Sequence, residues 1–407
     1  MGHSLVNNGS SPLGAFIAAE RQRRSLTRRD LAALIRKAGR RDGVVMGVSE
    51  ETVKGWELRG HVPRQPALRA LAAVLERSVE ELTALAHPKP AAAVMDGLEL
   101  PPAEPADAGY VENVRHTIQQ LVSMEDTLGG DGLAPLAVRH LRAARHRLDD
   151  GAHVASIERD FQAAVGELAE LTGWLLHDAG QLDAARAIDH EALHLTRLAG
   201  DRSTELFVLA NLSYLDTSTQ RSGAALQIAR SVLCPGDASN RIRAIFGIRE
   251  ARALAQLQDR DGALRAIERT RSRFYDGVTD RDPAWSWWVT EAEVISHAGR
   301  CYMDLGEHAK AIPLLQQAAE AVASGRPSLR YTYLTRLLGA MLGAGDWSGA
   351  ETVIQMVLSY VPEVGSARTA GLLKGAARYI AGSEAPPPLR EAGQHLSTVL
   401  TAAGYFE

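Results

Sequence analysis

The sequence has few of the residues that disulfide-rich or membrane-spanning proteins need. Cys234 and Cys301 are the only cysteines among 407 residues, which excludes a disulfide framework and favours a reducing compartment. No apolar run approaches the roughly 18 residues of a membrane-spanning helix. The opening segment Met1–Pro12 is polar, unlike a secretory signal peptide. These absences predict a cytoplasmic protein that does not use a membrane.

Motifs for catalysis are also scarce. Gly129-Gly130-Asp131-Gly132 lacks the strand and the lysine of a phosphate-binding loop. His190-Glu191-Ala192-Leu193-His194 has the spacing of a zinc-protease motif, but no third ligand is evident and Ala192 occupies a packing position of the repeats described below. We therefore expect no catalytic residues, no metal site and no cofactor. A zinc hydrolase is the alternative that metal analysis of the purified protein would detect.

Charge is divided unevenly along the chain, although the net charge is only −4. Residues 1–90 carry 15 Lys and Arg against 9 Asp and Glu, a net charge of +6, so the remainder carries −10. A basic head on an acidic body predicts contact with a polyanion through the head alone.

The segment from Val48 to Glu57 has the pattern of a short amphipathic helix. Ser49 can cap its first turn, where Glu50 and Glu51 are favoured by the helix dipole. Val53 and Trp56 share one face. The pattern places Glu50, Glu51, Lys54 and Gly55 on the outside.

A second short helix is predicted upstream of it. Thr27 supplies a hydroxyl cap, Asp30 lies three residues on, and Leu31, Leu34 and Ile35 form an apolar stripe. Two short helices with a Gly-Val-Ser junction before the second form the pattern of a helix-turn-helix, whose second helix enters the major groove of DNA.

These residues resemble the helix-turn-helix of the lambda-repressor and Cro-like (Xre-type) transcriptional regulators. The resemblance covers about the first 85 residues and departs from the family at 40–47, which adds sequence to the turn. It is carried by the following residues: Leu26-Thr27-Arg28-Arg29-Asp30-Leu31-Ala32, Gly47-Val48-Ser49-Glu50-Glu51-Thr52-Val53, Trp56-Glu57 and Pro63. A helical bundle that only packs, the alternative, leaves the many arginines of this region unexplained.

The resemblance assigns two kinds of DNA contact. Glu50, Glu51 and Lys54, early on the reading helix, are expected to contact base edges, since a carboxylate accepts from cytosine and a lysine donates to guanine. The expected phosphate contacts are Thr27, Arg28, Arg29, Arg59 and Arg64.

Three segments follow from composition and periodicity. Residues 1–85 form a five-helix domain that ends with helices Gln65–Arg77 and Val79–Leu85, and the Pro-rich residues 86–109 form a linker. Residues 110–407 are helical, beginning with the pair Val111–Thr127 and Leu133–Leu148.

Small residues recur in the third segment and indicate internal repeats. Gly173, Gly180, Ala185 and Ala192 have the same offsets as four residues that start at Gly299. The frame anchors Ala185, Ala225, Ala263, Ala311 and Ala350 are spaced by 40, 38, 48 and 39 residues. An irregular helical bundle, the alternative, predicts no fixed frame. We therefore predict an all-α protein with a C-terminal α-solenoid whose end is capped by a last helix, Leu389–Ala403.

The frame resembles the tetratricopeptide repeat, whose inner helices line a groove. The groove positions implied by this resemblance are polar or aromatic in four copies: Glu167, Glu170, Trp174, His177 and Asp178; Tyr214; Arg252; Glu293, Arg300 and Asp304. Asn211 lies one turn from Tyr214 and is expected to hydrogen-bond a peptide backbone in the groove. Trp285 and Trp288, in the widest gap between copies, are either a ligand wall or a core plug between repeats.

A DNA-reading head on a repeat body is similar to the peptide-pheromone-receptor regulators of Gram-positive bacteria and to actinobacterial regulators of development and secondary metabolism. This implies a homodimeric transcription regulator that binds a palindromic double-stranded operator and senses a peptide or a small-molecule effector. The alternative is a tetratricopeptide scaffold for a partner protein, with a head that only tethers nucleic acid weakly.

Overall fold

The structure, a computed structural model, describes the helical parts of the chain. The described residues are 12–24, 26–41, 44, 46–58, 61, 63, 65–75, 77–79, 82, 105–234, 238–322 and 326–405. The chain separates into two compact units, Met1–Gly97 and Leu98–Glu407. No helix in the described ranges is long and apolar enough to cross a bilayer.

The first unit is built from short helices around one small core. Its helices are α1 (Pro12–Arg23), α2 (Arg28–Arg41), α3 (Glu50–Leu58) and α4 (Gln65–Leu75). Most of the predicted fifth helix, Val79–Leu85, lies outside the described residues, and Val79 and Leu82 within it are helical. The core residues are Leu13, Ile17, Leu31, Ala32, Ile35, Val48, Val53, Trp56, Leu68, Leu71, Leu75 and Leu82.

Two predicted orientations in this unit are wrong. Leu34 is 37% exposed, because the buried face of α2 runs through Leu31, Ala32 and Ile35, about a third of a turn away. Gly55 is buried rather than outward-facing, and its carbonyl accepts a hydrogen bond from the His61 amide at 3.2 Å.

The second unit is an all-α array of helices packed in consecutive pairs, as the repeat pattern predicted. The helices are α5 (Ala108–Leu128), α6 (Gly130–Asp149), α7 (Glu158–Asp178), α8 (Leu182–Ala199), α9 (Arg202–Ser218), α10 (Ser222–Leu233), α11 (Asn240–Gln256), α12 (Arg260–Tyr275), α13 (Glu291–Asp304), α14 (His308–Ala321), α15 (Pro327–Ala344), α16 (Trp347–Val357), α17 (Ala367–Gly382) and α18 (Pro387–Ala402).

The anchor residues of the frame lie where the two helices of each repeat cross. All five anchor alanines are fully buried, on the second helix of the pairs α7–α8 to α15–α16. At Gly173 an added Cβ would come within 2.1 Å of Asp189 Oδ1, and at Gly299 within 2.7 Å of Leu315 Cγ. Small residues therefore recur because the helix backbones approach closely at these crossings.

The segment after residue 362 contains a further helix pair, α17–α18, beyond the five pairs that carry the anchors. The predicted last helix, Leu389–Ala403, is observed as α18, which begins two residues earlier because Pro387 stands in its first turn, where a helix tolerates proline. The helix α17 was not predicted.

The end of the array contacts its beginning, so the unit closes into a ring. The Asp131 amide donates to the Gly365 carbonyl at 2.9 Å, and the Gly365 amide donates to the Leu128 carbonyl at 3.0 Å. Tyr405 donates to Asp131 Oδ2 at 2.6 Å, and Arg326 pairs with Asp126 at 2.8 Å. A last helix that only caps an open end was therefore the wrong prediction.

Glycine makes this closure possible. Gly129 has φ +69° and ψ −178°, a conformation that only glycine adopts readily. A Cβ on Gly129 would lie 2.3 Å from the Gly365 oxygen, and one on Gly130 would lie 2.6 Å from the Leu175 oxygen. The glycine turn that could not be a phosphate-binding loop is thus the closing contact of the ring.

Candidate functional sites

The exposed face of α3 carries the side chains predicted to read bases. Glu50, Glu51 and Lys54 are exposed, while Val53 and Trp56 are buried on the opposite side. Lys54 Nζ lies 3.7 Å from a Glu51 carboxylate oxygen, a surface pair that is weak in water. The Thr52 amide donates to Ser49 Oγ at 3.2 Å, which confirms the predicted cap.

The predicted phosphate contacts have different environments. Thr27 and Asp30 form the predicted capping box, in which Thr27 Oγ1 donates to Asp30 at 2.6 Å and accepts from the Asp30 amide. Arg29 is exposed next to it. Arg59 and Arg64 lie outside the described residues.

Arg28 has an intramolecular partner that sequence reasoning missed. Glu57 is 1% exposed, and its carboxylate accepts from Arg28 Nε at 2.6 Å and from Arg21 Nε at 2.6 Å. These two ion pairs connect α1 and α2 to the end of α3. Arg28 therefore helps to position α3.

In the second unit, two sets of residues at equivalent positions in successive repeats meet around the phenol ring of Tyr214. Eleven residues before successive anchors stand Trp174, Tyr214, Arg252 and Arg300. Fourteen residues before anchors 225, 263, 311 and 350 stand Asn211, Arg249, His297 and Arg336. The second set lies one helical turn from the first. Reading it in every copy would have found Arg249, His297 and Arg336, which the sequence prediction missed.

Tyr214 is 4% exposed and is surrounded by cations. Its hydroxyl accepts hydrogen bonds from Arg300 Nη1 at 3.0 Å and from Arg336 Nη2 at 3.2 Å. The guanidinium carbons of Arg249 and Arg252 lie 4.8 and 5.6 Å from its ring centroid. We call Arg249, Arg252, Arg300, Arg336 and Arg368 the arginine cluster.

Aromatic rings complete the surroundings of Tyr214. His177 meets it edge to face, with centroids 5.2 Å apart, and the Trp174 centroid lies 6.0 Å away. Arg368 stands 5.9 Å from the Trp174 ring. These residues come from α7, α9, α11, α13, α15 and α17. They meet only because the array of helices closes on its own beginning.

The cluster alters the acidity of its members. Burial alone would raise the pKa of Tyr214, but Arg300, Arg336, Arg368 and Arg252 together hold that pKa well below its usual range. Burial lowers the pKa of His177 well below its ordinary value, and the positive charges of four arginines of the cluster lower it further. His177 is therefore a neutral imidazole at physiological pH.

The two predicted groove acids Asp178 and Asp304 both form ion pairs, and they have different roles. Asp178 is 1% exposed and accepts from Arg368 at 2.8 Å, Ser366 at 2.8 Å and the Gly130 amide at 2.9 Å. Asp304 pairs with Arg252 at 3.4 Å and remains 23% exposed. Asp178 is thus a closure residue, and Asp304 lies at the solvent side of the cluster.

Glu170 and Asn211 pair with each other between α7 and α9. Asn211 Nδ2 donates to Glu170 Oε1 at 2.7 Å, and both side chains are buried. A free amide for a peptide backbone, as predicted for Asn211, is therefore not what this geometry provides. Burial, reinforced by the nearby Asp189, raises the pKa of Glu170 well above its usual value.

Asp189→Asn should stabilise the protein at neutral pH. Burial raises the pKa of Asp189 to about 8, so folding favours its protonated form and stability falls as pH rises from the unfolded pKa toward the folded one. From pH 5 to pH 7 this group removes up to about 3 kcal/mol. Urea unfolding at both pH values should show that loss in the wild type and a smaller loss in the variant.

The control for this prediction is Asp183→Asn, which changes an exposed acid on the same helix. A wild-type pH slope that Asp189→Asn leaves unaltered would contradict the assignment.

Trp285 and Trp288 are placed away from the arginine cluster. Trp285 stacks on Phe207 with centroids 4.4 Å apart, and its Nε1 donates to Ser203 Oγ at 3.0 Å. Trp288 lies against the same Phe207, at 6.3 Å. Their geometry favours the plug interpretation over the ligand wall.

The zinc-protease spacing is on the surface of α8. His190 and His194 are exposed, and Glu191 forms an ion pair with Arg145. Within the described ranges, no group of three or more metal-ligating side chains is placed to hold an ion.

One family model matches the chain: the SP15 N-terminal domain, over residues 18–87. The match covers the head and leaves the repeat unit unassigned. It is not the lambda-repressor and Cro-like model, so that finer assignment stays a prediction. None of the curated proteins matches the sequence.

Among solved structures, PlcR of Bacillus thuringiensis, crystallised with the peptide PapR7 and DNA, is similar to this chain. The likeness covers 76% of this chain and 94% of PlcR, with 12% identity and a TM-score of 0.35. Values this low support no conclusion about the function of this chain.

Proposed function

We propose that the protein is a sequence-specific DNA-binding transcription regulator. The observation that carries this function is the exposed face of α3, where Glu50, Glu51 and Lys54 stand on a helix whose back is fixed by Val53 and Trp56. A helix presented in this way by a small basic unit suits the major groove. We propose no enzymatic activity and no resident cofactor.

The repeat unit is proposed to bind an effector and to mediate dimerisation. A single head contacts few base pairs, so a homodimer on a palindromic operator would supply the affinity that one head lacks. An effector that binds two dimer arrangements unequally would shift the population between them and alter half-site spacing. We place the effector at the arginine cluster, where side chains from six helices meet.

Selection of the full protein on random duplex pools should enrich a palindromic sequence. Lys54→Ala should relax base preference at one position of each half-site, by about 1–3 kcal/mol of discrimination. Arg29→Ala should weaken binding to all sequences alike and reduce the salt dependence by about one charge. Arg28 is unsuitable for this test because it also pairs with Glu57.

The scaffold alternative predicts a different outcome from the same selection. If no sequence is enriched at moderate salt, with or without bound effector, the head is only a nucleic-acid tether and the proposed function is wrong. A palindrome whose base preference is unchanged in Lys54→Ala would keep the function and reject the assigned reader.

A further inference from the structure

The arginine cluster has fewer anions than its cations require. Arg252 pairs with Asp304 and Arg368 pairs with Asp178. In the described part of the chain, Arg249, Arg300 and Arg336 have no carboxylate within ion-pair distance. Their hydrogen bonds go to the Ala210 carbonyl, the Tyr214 oxygen and the Ser296 hydroxyl, none of which is a carboxylate. The buried carboxylate of Glu293 acts on Arg249 and Arg336 from farther away and is hydrogen-bonded by His297 and Tyr333. Three carboxylates therefore face the five guanidinium groups.

Burial makes this excess unfavourable. Arg249 is 4% exposed and Arg336 is 7% exposed, so both guanidinium groups have lost most of their hydration. Burial and the neighbouring Arg252 lower the pKa of Arg300 to about 9, which still leaves it cationic at neutral pH. Like charges gathered around one phenol ring are stabilised when an anion joins them.

Unused hydrogen-bonding atoms point to the same conclusion. Arg336 Nε and His177 Nε2 are buried and have no hydrogen-bond partner. An unpaired buried donor such as Arg336 Nε is rare and favours a bound group that accepts from it. Arg300 and Asp304 are only partly buried, so solvent reaches the cluster beside them.

We propose that the arginine cluster is a binding site for a compact dianion, either a phosphate group or a dicarboxylate. Guanidinium groups bind both through paired N–H donors. The cluster is too enclosed for an extended peptide, since three of its guanidinium groups lie within 5.7 Å of the Tyr214 ring centroid. That this dianion is the effector rests on the proposed function, whereas its binding does not.

Tyr214 takes the place of the dianion when the site is empty. Its hydroxyl accepts from Arg300 and Arg336, and the surrounding cations favour its ionised form. A bound dianion would take over these donors and raise the pKa of Tyr214 back toward its ordinary value. In a pH titration, binding should therefore shift the appearance of phenolate absorption in the near ultraviolet to higher pH, a signal that Tyr214→Phe abolishes.

The test uses the full chain, with sodium phosphate and sodium succinate as probes and sodium chloride at equal ionic strength as reference. Calorimetry should show saturable binding of at least one probe and none of chloride. Arg300→Gln should weaken it at least tenfold, and Tyr214→Phe should tighten it because two guanidinium groups lose their internal acceptor. Binding of phosphate alone, of succinate alone or of both would support the site. The result would also show which class of dianion the site accepts.

Two further variants keep the test decisive. Arg265→Gln makes the same change at an exposed position of α12 and should bind like the wild type. Arg300→Lys keeps the charge and the fold but loses paired donation, so its affinity should fall between those of the wild type and Arg300→Gln. No saturable binding of either probe, or equal binding by Arg300→Gln and Arg265→Gln, would overturn the site.

The two proposals fail separately. If a probe binds but leaves operator affinity unchanged, the dianion site stands and its role as effector is wrong. If the protein binds a palindromic operator but neither probe, the proposed function stands and the dianion site is wrong.

Discussion

Gly129→Ala should destabilise the repeat unit by at least about 3 kcal/mol and open its ring. Two effects add at this position. The backbone at φ +69° and ψ −178° is strained for any residue with a Cβ, and that Cβ would lie 2.3 Å from the Gly365 oxygen and 2.7 Å from its carbonyl carbon. Both neighbours are backbone atoms of another segment, so no side-chain rotation relieves the contact. Relief requires the segment around Gly365 to move away.

Hydrogen exchange and urea unfolding measure these effects. The amides of Asp131, Gly365 and Ala367, which bond across the closure, should lose protection in Gly129→Ala. Anion binding at the arginine cluster should weaken as well, because Arg368 reaches it from α17 on the far side of the closure.

Gly345→Ala is the matched control for the backbone effect. Gly345 also has positive φ, at +74° in the left-handed helical region, and a Cβ there would meet nothing within 4 Å. We expect a loss of about 1 kcal/mol without a change at the closure. Equal effects of the two substitutions would show that the close approach of Gly129 and Gly365 is unimportant.

Glu57→Gln should unfold the head to a large extent. The Glu57 side chain is inaccessible to solvent, and its two carboxylate oxygens each lie 2.6 Å from an arginine Nε, one of Arg21 and one of Arg28. Removing one partner of a buried pair costs about 3–5 kcal/mol, a large fraction of the stability of so small a unit. Amides of α1, α2 and α3 should lose hydrogen-exchange protection in the full chain, and DNA binding should be lost with them.

The control for Glu57 is Glu51→Gln on the same helix. Glu51 is 63% exposed and lies 3.7 Å from Lys54, so its loss should change stability by less than about 0.5 kcal/mol. Its predicted effect is on base preference alone. Unchanged protection in Glu57→Gln would mean that packing, without the ion pairs, holds the head together.

Much of the fold follows from local patterns that can be recognised directly in the sequence. The capping residues Thr27 and Ser49 predicted two helix starts that the structure contains. The small residues Gly173, Gly299 and the five anchors predicted its helix crossings. Capping and close helix contact depend on residue type at fixed short spacing, so they can be recognised without knowledge of what lies elsewhere. The proline run at 386–388 was ambiguous because proline both ends helices and begins them.

The candidate sites divide in the same way. Trp174, Tyr214, Arg252 and Arg300 were found because they repeat in the frame, and they do meet around one ring. Arg368 and the closing role of Asp178 were missed, because they depend on contact between residues 188 or more positions apart. Asp178 occupied a groove position in the frame and became a closure residue only because the array curves back on its beginning.

The sequence by itself determined that the chain is all-α, that its net positive charge lies in the head, and that Val53 and Trp56 share the buried face of α3. These properties depend on composition and on helical period. The tertiary structure decided that the array closes, that Arg28 pairs with the buried Glu57, and that four arginines contact one tyrosine. Closure and shared burial arise from the summed curvature of many helix pairs, which no single stretch of sequence encodes.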